Sequence, residues 1–114
     1  MNDVPRAPSS FIIATRNRPE HLLSTVRSLV EQTLLPEELC IVDSSDATPT
    51  RGEINEHCVR HGLPLDYVHP APRGLTVQRN IGIERTSGDP VFFIDDDVRM
   101  EPECHEQIMH EYAR

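Results

Sequence analysis

With 114 residues, the chain is long enough for one domain with a single modest hydrophobic core. Its 19 acidic residues outnumber its 11 basic residues, all of them arginine, and the net charge of −8 argues against binding to nucleic acid or to an anionic membrane. No stretch approaches the roughly 20 apolar residues of a membrane span, and the cysteines form no C-x-x-C pair, so we predict a soluble, reduced, cytoplasmic protein.

The first half of the chain predicts two strands separated by a helix. Residues 11–14 form an apolar run typical of a buried strand, whereas residues 1–10 lack such a run and are expected to be a flexible N-terminus. A helix is predicted to begin at Pro19, whose fixed φ suits a first helical position, and to end before Pro36. A second strand is predicted at residues 39–42.

The second half continues the alternation of helices and strands. A helix is predicted at residues 50–61 with Gly62 as its end, followed by a strand at Leu65–Val68. The remaining predicted elements are a helix at residues 75–86, a strand at 91–94 and a last helix from Pro102. Strands that alternate with helices build parallel sheets through right-handed crossovers, so the predicted fold is α/β, with an open, mostly parallel sheet and helices on both faces.

Polar residues follow every predicted strand. They lie at residues 15–18, 43–46, 69–74 and 95–97. In open parallel sheets, ligands bind outside the carboxyl ends of the strands, so we expect these segments to meet at one edge of the sheet. The first of them contains no glycine, which argues against a dinucleotide-binding G-x-G-x-x-G loop.

The most informative segment is the run of three aspartates at residues 95–97, directly after the fourth strand. Adjacent carboxylates repel one another unless a cation or several hydrogen-bond donors offset their charge. Hard oxygen ligands on a short loop suit Mg²⁺ or Mn²⁺ on a diphosphate. The triplet therefore predicts a divalent-metal site.

Other polar residues leave alternatives open. Asp43 could cap a turn with the serines that follow it, or could accept a hydrogen bond from a ribose hydroxyl or a base N–H. Arg79 could face an anion and Asn80 could bond a neighbouring loop, although both lie in a predicted helix. His57 and His61 share one helix face, but no further ligand is near in sequence, which favours a polar helix surface over a zinc site.

Taken together, these motifs resemble the family-2 glycosyltransferases, whose nucleotide-sugar-binding half has the Rossmann-like GT-A fold. The resemblance runs from Phe11 to about Met109. It rests on the order and spacing of five segments, at residues 12–19, 28–33, 41–46, 79–82 and 88–97.

The resemblance implies a donor site for a nucleotide-diphosphate sugar, a UDP-sugar above all, with Mn²⁺ or Mg²⁺ as cofactor. The residue matching Asp43 would contact the nucleobase, and the aspartate triplet would be the D-x-D motif that binds ribose and metal. The nucleotide-sugar-binding residues so implied are Thr15, Arg16, Asn17, Asp43, Ser45, Arg79, Asn80, Asp95 and Asp96, and the implied metal ligands are Asp95 and Asp97.

Two departures from the family pattern matter for function. Ser44 stands where family members usually have a second aspartate, which leaves the nucleotide preference open. The family's general base and acceptor-binding elements lie beyond the D-x-D motif, so we expect residues 11–114 to be a GT-A domain truncated after that motif, with the acceptor part missing and little transfer by the isolated chain.

Three alternatives remain open at this point. The chain could be a non-catalytic nucleotide-sugar-binding module, as the missing base suggests. It could be a nucleotidyltransferase, although a glycine-rich basic loop after the first strand is absent. An open sheet edge and exposed apolar helix faces could also pair in a homodimer.

Overall fold

The computed structural model describes residues 4–113, and it has the alternation of strands and helices that the sequence predicts. The elements in chain order are β1 (Arg6–Thr15), α1 (Pro19–Val30), β2 (Leu35–Asp43), α2 (Arg51–Arg60), β3 (Leu65–Val68), α3 (Leu75–Arg85), β4 (Val91–Phe93) and α4 (Cys104–Tyr112). None of the helices in this described part is both long and apolar enough to cross a membrane.

The four strands form one parallel sheet in the order β3-β2-β1-β4, which confirms the predicted open α/β sheet. β1 and β2 pair in a register that sets Thr15 opposite Asp43, so the two strands end at the same level. β1 also pairs with β4, with Ile12 opposite Phe93. The short strands β3 and β4 are the sheet edges, and the homodimer expected at an open edge stays a prediction.

Helices cover both faces of the sheet, as expected from the alternation of side chains along a strand. Phe11 and Ile13 of β1 point into a core that apolar residues of α1 and α2 complete. Ile12 points to the opposite face, where it packs in a cluster with Val42 of β2 and Ile81 of α3. α4 lies over the first face near β4, where the His105 ring meets the edge of Phe11 at a centroid distance of 4.8 Å.

α3 lies directly against the sheet because of one glycine. A Cβ atom on Gly82 would overlap the side chain of Ile12, so any larger residue would push α3 away from β1. This close approach brings the first turn of α3 to the edge of the sheet where β1 and β2 end.

The prediction of a flexible N-terminus is wrong for residues 6–10, which form the first half of β1. Ser9 and Ser10 are fully buried there, and their hydroxyl groups have partners. The Ser9 hydroxyl bonds His105 Nε2 at 2.8 Å, and that of Ser10 donates to Glu38 Oε2 at 2.7 Å. Polar residues that are satisfied by distant partners give no apolar signal in the sequence. Residues 1–3 of the expected flexible segment lie outside the described residues.

Candidate functional site

The polar loops that follow the strands meet at the carboxyl-terminal edge of the sheet, as the sequence predicts. At this edge lies a cleft of about 340 Å³, which we call the rim cleft. Its lining comes from the end of β1, the loop after it, the first turn of α3 and the acidic triplet, and consists of Ala14, Thr15, Arg16, Arg18, Leu75, Gln78, Asp95, Asp96 and Asp97.

Asp96 is the buried member of the triplet and is fixed from two sides. It is 7 % exposed, and its Oδ2 atom accepts a hydrogen bond of 2.8 Å from the hydroxyl of Thr15. Its backbone carbonyl accepts a second bond of 2.8 Å, from the hydroxyl of Thr25 in α1. The loop after β4 is therefore attached both to β1 and to α1.

Asp95 and Asp97 are exposed, so the triplet presents two carboxylates to solvent and buries the one between them. The guanidinium group of Arg18 lies between two of the three, with Nη1 at 3.3 Å from Asp96 Oδ1 and Nη2 at 3.4 Å from Asp97 Oδ2. Arg18 thus supplies the cation that three adjacent carboxylates require.

Arg16 adds a second guanidinium group to the rim cleft. Its Nε atom is buried, and it has no hydrogen-bond partner among residues 4–113. A buried donor without a partner is rare in proteins and commonly indicates a site for a bound molecule or ion. Arg16, which lines the rim cleft beside the carboxylates, therefore carries a buried donor without a partner in the described residues.

Asp43 lies beside the rim cleft at the end of β2 and is 2 % exposed. Its Oδ1 accepts from the backbone N–H of Ser45 at 2.8 Å, which is the turn-capping arrangement considered above. Its Oδ2 accepts from the hydroxyl of Tyr67 at 2.5 Å. Burial and the Asp43 carboxylate raise the pKa of Tyr67, so its hydroxyl keeps the proton that it donates. Arg51 covers the Tyr67 ring at 4.6 Å.

Asn17 and Ser45 connect the loops after β1 and β2. The backbone N–H of Asn17 donates to Ser45 Oγ at 2.6 Å, and Asn17 Oδ1 accepts from the backbone N–H of Asp46 at 3.0 Å. Asn17 has a φ of +55°, a left-handed conformation that asparagine tolerates better than most residues. In this structure these two residues shape the site by holding its loops together.

Arg79 and Asn80 are not part of the rim cleft. The Cζ atom of Arg79 lies 5.2 Å from the centroid of the Phe93 ring, in a cation–π contact at the edge strand. Asn80 is exposed, and no hydrogen bond joins its side chain to the rest of residues 4–113. A nucleotide-sugar contact by either residue stays a prediction.

Gln78 is the site residue that sequence reasoning missed. It is 5 % exposed, and its side-chain amide donates to the carbonyl of Thr15 at 3.0 Å and to that of Val42 at 2.9 Å. It thereby joins α3 to the ends of β1 and β2. The available signal was its position four residues before Gly82 and three before Ile81, on the helix face that meets the sheet. Tyr67 was likewise missed as the partner of Asp43.

The donor atoms of the rim cleft fit a divalent metal ion that is shared with a substrate. Asp95 and Asp97 offer hard oxygen atoms, and the guanidinium group of Arg18 already occupies a cationic position beside Asp97. Within residues 4–113, no group of three or more His, Cys, Asp and Glu side chains could hold a metal by itself. Mg²⁺ and similar ions are commonly held by one or two carboxylates together with substrate phosphates and water, which matches this donor set.

Comparison with known protein families gives one match that spans most of the chain. The family model described as Glycosyl transferase family 2 matches residues 10–114. EpsH of Bacillus subtilis (strain 168) is 32 % identical over 102 residues, which cover 88 % of this chain and 29 % of EpsH. The chain therefore spans less than a third of the length of this relative.

Two solved structures share the fold. TarS from S. aureus, residues 1–349 in complex with UDP, has a TM-score of 0.71 and 23 % identity over 90 % of this chain and 31 % of the 1–349 chain. The mannosyltransferase PcManGT from Pyrobaculum calidifontis, in complex with GDP-Man and Mn²⁺, has a TM-score of 0.63 and 22 % identity over 84 % of this chain and 29 % of its own. These likenesses agree with the GT-A fold expected from the sequence.

Proposed function

Because this chain belongs to glycosyl transferase family 2, we propose that its rim cleft binds the diphosphate of a nucleotide-diphosphate sugar, together with a divalent metal ion, for transfer of the sugar to an acceptor hydroxyl. We assign to the described residues the donor-binding part of this reaction.

One observation carries the proposal: the residues of the rim cleft include a guanidinium donor without a partner in the described part of the chain as well as exposed carboxylates. Arg16 brings a buried N–H that lacks a partner within the described residues, and Asp95 and Asp97 bring exposed carboxylates. A diphosphate alone would suit the arginine and be repelled by the aspartates. A diphosphate that carries a divalent cation suits both, because the cation faces the carboxylates and the phosphate oxygens face the guanidinium group.

Glycosyl transfer requires such an arrangement at its leaving group. Cleavage of the bond between the anomeric carbon and the diphosphate builds negative charge on phosphate oxygens in the transition state. A bound Mn²⁺ or Mg²⁺ would offset that charge, with Asp97 and Asp95 as its ligands from this chain. Arg16 would hold the diphosphate through charge-assisted hydrogen bonds.

The nucleobase is proposed to bind near Asp43. Its carboxylate has fixed orientation, since Ser45 and Tyr67 donate to its two oxygen atoms, and each oxygen keeps a second lone pair. An additional N–H donor such as that of uracil could therefore bond it. Complexes of the structural neighbours contain UDP, UDP-GlcNAc and GDP-Man, which supports a nucleotide-sugar ligand of this class. We expect a UDP-sugar to bind in preference to GDP- and dTDP-sugars.

Isothermal titration calorimetry tests the proposal. UDP-, GDP- and dTDP-sugars are titrated into the chain with and without Mn²⁺, in the wild type, Asp97→Ala and the control Asp66→Ala. Asp66 is a matched control because it is a part-exposed aspartate that also pairs with an arginine, Arg85 at 2.7 Å. We expect Mn²⁺-dependent binding in the wild type and in the control, and loss of the Mn²⁺ dependence in Asp97→Ala.

Two outcomes contradict the donor-site assignment: absence of binding for all the sugars, or an Asp97→Ala variant whose Mn²⁺-dependent binding is unchanged. The alternative is a nucleotide-sugar-binding module, and sugar transfer to a defined acceptor by the chain would exclude it. The module would bind the donor with the same metal dependence and release no nucleoside diphosphate.

A further inference from the structure

We propose that Arg18 is a built-in counter-ion that competes with a divalent metal ion for Asp97, and that it gives up this position when a diphosphate enters the rim cleft. The proposal rests on the proposed function, because it concerns the same cleft. It gives Arg18 a role in metal and diphosphate binding besides its ion pairs with the aspartates.

The geometry of the two ion pairs carries the first step. The two terminal nitrogens of Arg18 divide between two carboxylates, at 3.3 Å from Asp96 and 3.4 Å from Asp97. A divalent ion bound at Asp97 would lie next to the same carboxylate oxygens, so it would meet a positive charge already in place. Like charges at such distances repel, and both cannot keep their best contacts.

The two carboxylates differ in what else holds them. Asp96 has a side chain only 9 % exposed and also accepts the Thr15 hydrogen bond of 2.8 Å. The side chain of Asp97 is 51 % exposed, and among residues 4–113 its only polar side-chain partner is Arg18. Departure of Arg18 would therefore free Asp97 completely and leave Asp96 in its position.

The exposure of the Arg18 side chain leaves room for it to turn while its backbone stays in place. Its backbone carbonyl accepts the N–H of Leu22 at 3.0 Å and so begins α1, but its side chain is 44 % exposed. The planar guanidinium fork matches phosphate oxygens and can form two parallel hydrogen bonds with them. A diphosphate in the rim cleft thus offers Arg18 a new partner, and Asp97 becomes available to the metal ion.

The consequence is a coupling between metal and diphosphate. Without the diphosphate, Arg18 stays on Asp97 and weakens metal binding. With it, Arg18 turns to the phosphates, and the affinity of Asp97 for the metal rises. Coupling of this kind is reciprocal, so the metal also raises the affinity for the diphosphate.

Titration with Mn²⁺ alone tests this inference on the full 114-residue chain. The variants are Arg18→Gln and Arg18→Met, with Arg85→Gln as the matched control, because Arg85 is an exposed arginine paired with an aspartate outside the rim cleft. Removal of the competing cation should tighten Mn²⁺ binding about two- to tenfold, the range that one or two half-exposed ion pairs are worth. The control should bind Mn²⁺ like the wild type.

In a second titration, the Arg18 substitutions should change the affinity in the opposite direction. UDP in the presence of saturating Mn²⁺ should bind the Arg18 variants more weakly than the wild type, because the phosphates lose a guanidinium partner. Arg18→Lys keeps a cation and should show a smaller gain in Mn²⁺ affinity than Arg18→Gln. If one variant fails to fold, as judged by circular dichroism, the other two still provide the comparison.

Unchanged or weaker binding of Mn²⁺ alone in the folded Arg18 variants would overturn the inference and leave Arg18 as a residue that only orients the aspartates. Failure of the proposed function has a different signature, namely a wild type that binds no nucleotide with Mn²⁺. That result can occur whether or not the Arg18 variants gain affinity for Mn²⁺, so the two failures are distinguishable.

Discussion

The hydroxyl of Thr15 donates a 2.8 Å hydrogen bond to the carboxylate of Asp96, across 81 positions of sequence. This bond joins the end of the central strand β1 to the acidic triplet beyond the edge strand β4. Both side chains are buried, so the bond is shielded from water and its loss leaves a buried charge with fewer partners.

Substitution of Thr15 by valine should therefore lower the free energy of unfolding by about 1–3 kcal/mol, the cost of removing a buried hydrogen bond to a charged group. Thr15→Ser keeps the hydroxyl and should cost less. The matched control is Thr33→Val, which removes an exposed threonine bond to a carboxylate, that of Glu106 at 2.7 Å. Urea unfolding of the three variants measures the difference, and equal losses for the two valine variants would contradict the assignment.

Gln78→Leu should also destabilise the protein. The substitution keeps the size of the side chain but removes its hydrogen bonds to the carbonyl groups of Thr15 and Val42, of which the former keeps the N–H of Ser44 at 3.1 Å. We expect a loss of about 1–3 kcal/mol in the free energy of unfolding. Gln107→Leu, at an exposed position of α4, serves as the control and should change it by less than about 0.5 kcal/mol.

Two glycine-to-alanine substitutions should have opposite effects. In Gly82→Ala, the new methyl group would overlap Ile12, and the forced shift of α3 should cost about 1–3 kcal/mol in spite of the better helix propensity of alanine. In Gly52→Ala, within α2, the new Cβ atom meets nothing within 4 Å, so a gain of about 0.5–1 kcal/mol is expected. Thermal or urea unfolding measures both. A gain in both variants would show that α3 can move away from the sheet at no cost.

His105 should make stability depend on pH. Burial lowers its pKa below the ordinary value of 6.5. The unfolded chain therefore takes up a proton at this side chain at a higher pH than the folded chain does. The contribution of the neutral ring to stability is complete above about pH 6.5 and is lost as the pH falls toward the lower folded pKa.

The measurement is urea unfolding at about pH 7.5 and about pH 5.5 for the wild type and His105→Gln. Five other histidines also titrate, so only the difference between the two proteins reports on His105. The wild type should lose more stability on acidification than the variant. An identical pH dependence in both would mean that the ring is protonated in the folded protein at no cost.

The order of the elements and the position of the site were predictable from the sequence for a physical reason. Parallel strands joined by helical crossovers must all end at the same edge, so the loops that begin at Thr15, Asp43 and Asp95 had to meet there. Runs of four apolar residues were sufficient to predict where in the sequence the strands that contain them lie. Burial on both faces makes such runs apolar throughout.

The contacts that complete the site were not predictable because they depend on partners far away in sequence. Ser9 and Ser10 give a polar pattern, and only His105 and Glu38 explain why they lie in a buried strand. Glutamine is typical of exposed helix positions, and Gln78 is buried because Gly82 lets α3 pack closely against the sheet. Arg79 and Asn80, chosen by motif, lie outside the rim cleft, since the helix face that meets the sheet is the one carrying Gln78.

The shortness of β4 should make this edge of the sheet, next to the acidic triplet, open more easily than β1. β4 has three residues, against ten in β1, and as an edge strand it pairs with one neighbour within the described chain. Amide hydrogen exchange should therefore be faster at Ile94, whose N–H donates to the Ile12 carbonyl, than within β1. A ligand that joins Arg16 to Asp97 would link β1 to the segment after β4. Its binding should slow amide hydrogen exchange in β4 more than elsewhere in the sheet. The exchange rate of this one strand would then report whether the cleft is occupied.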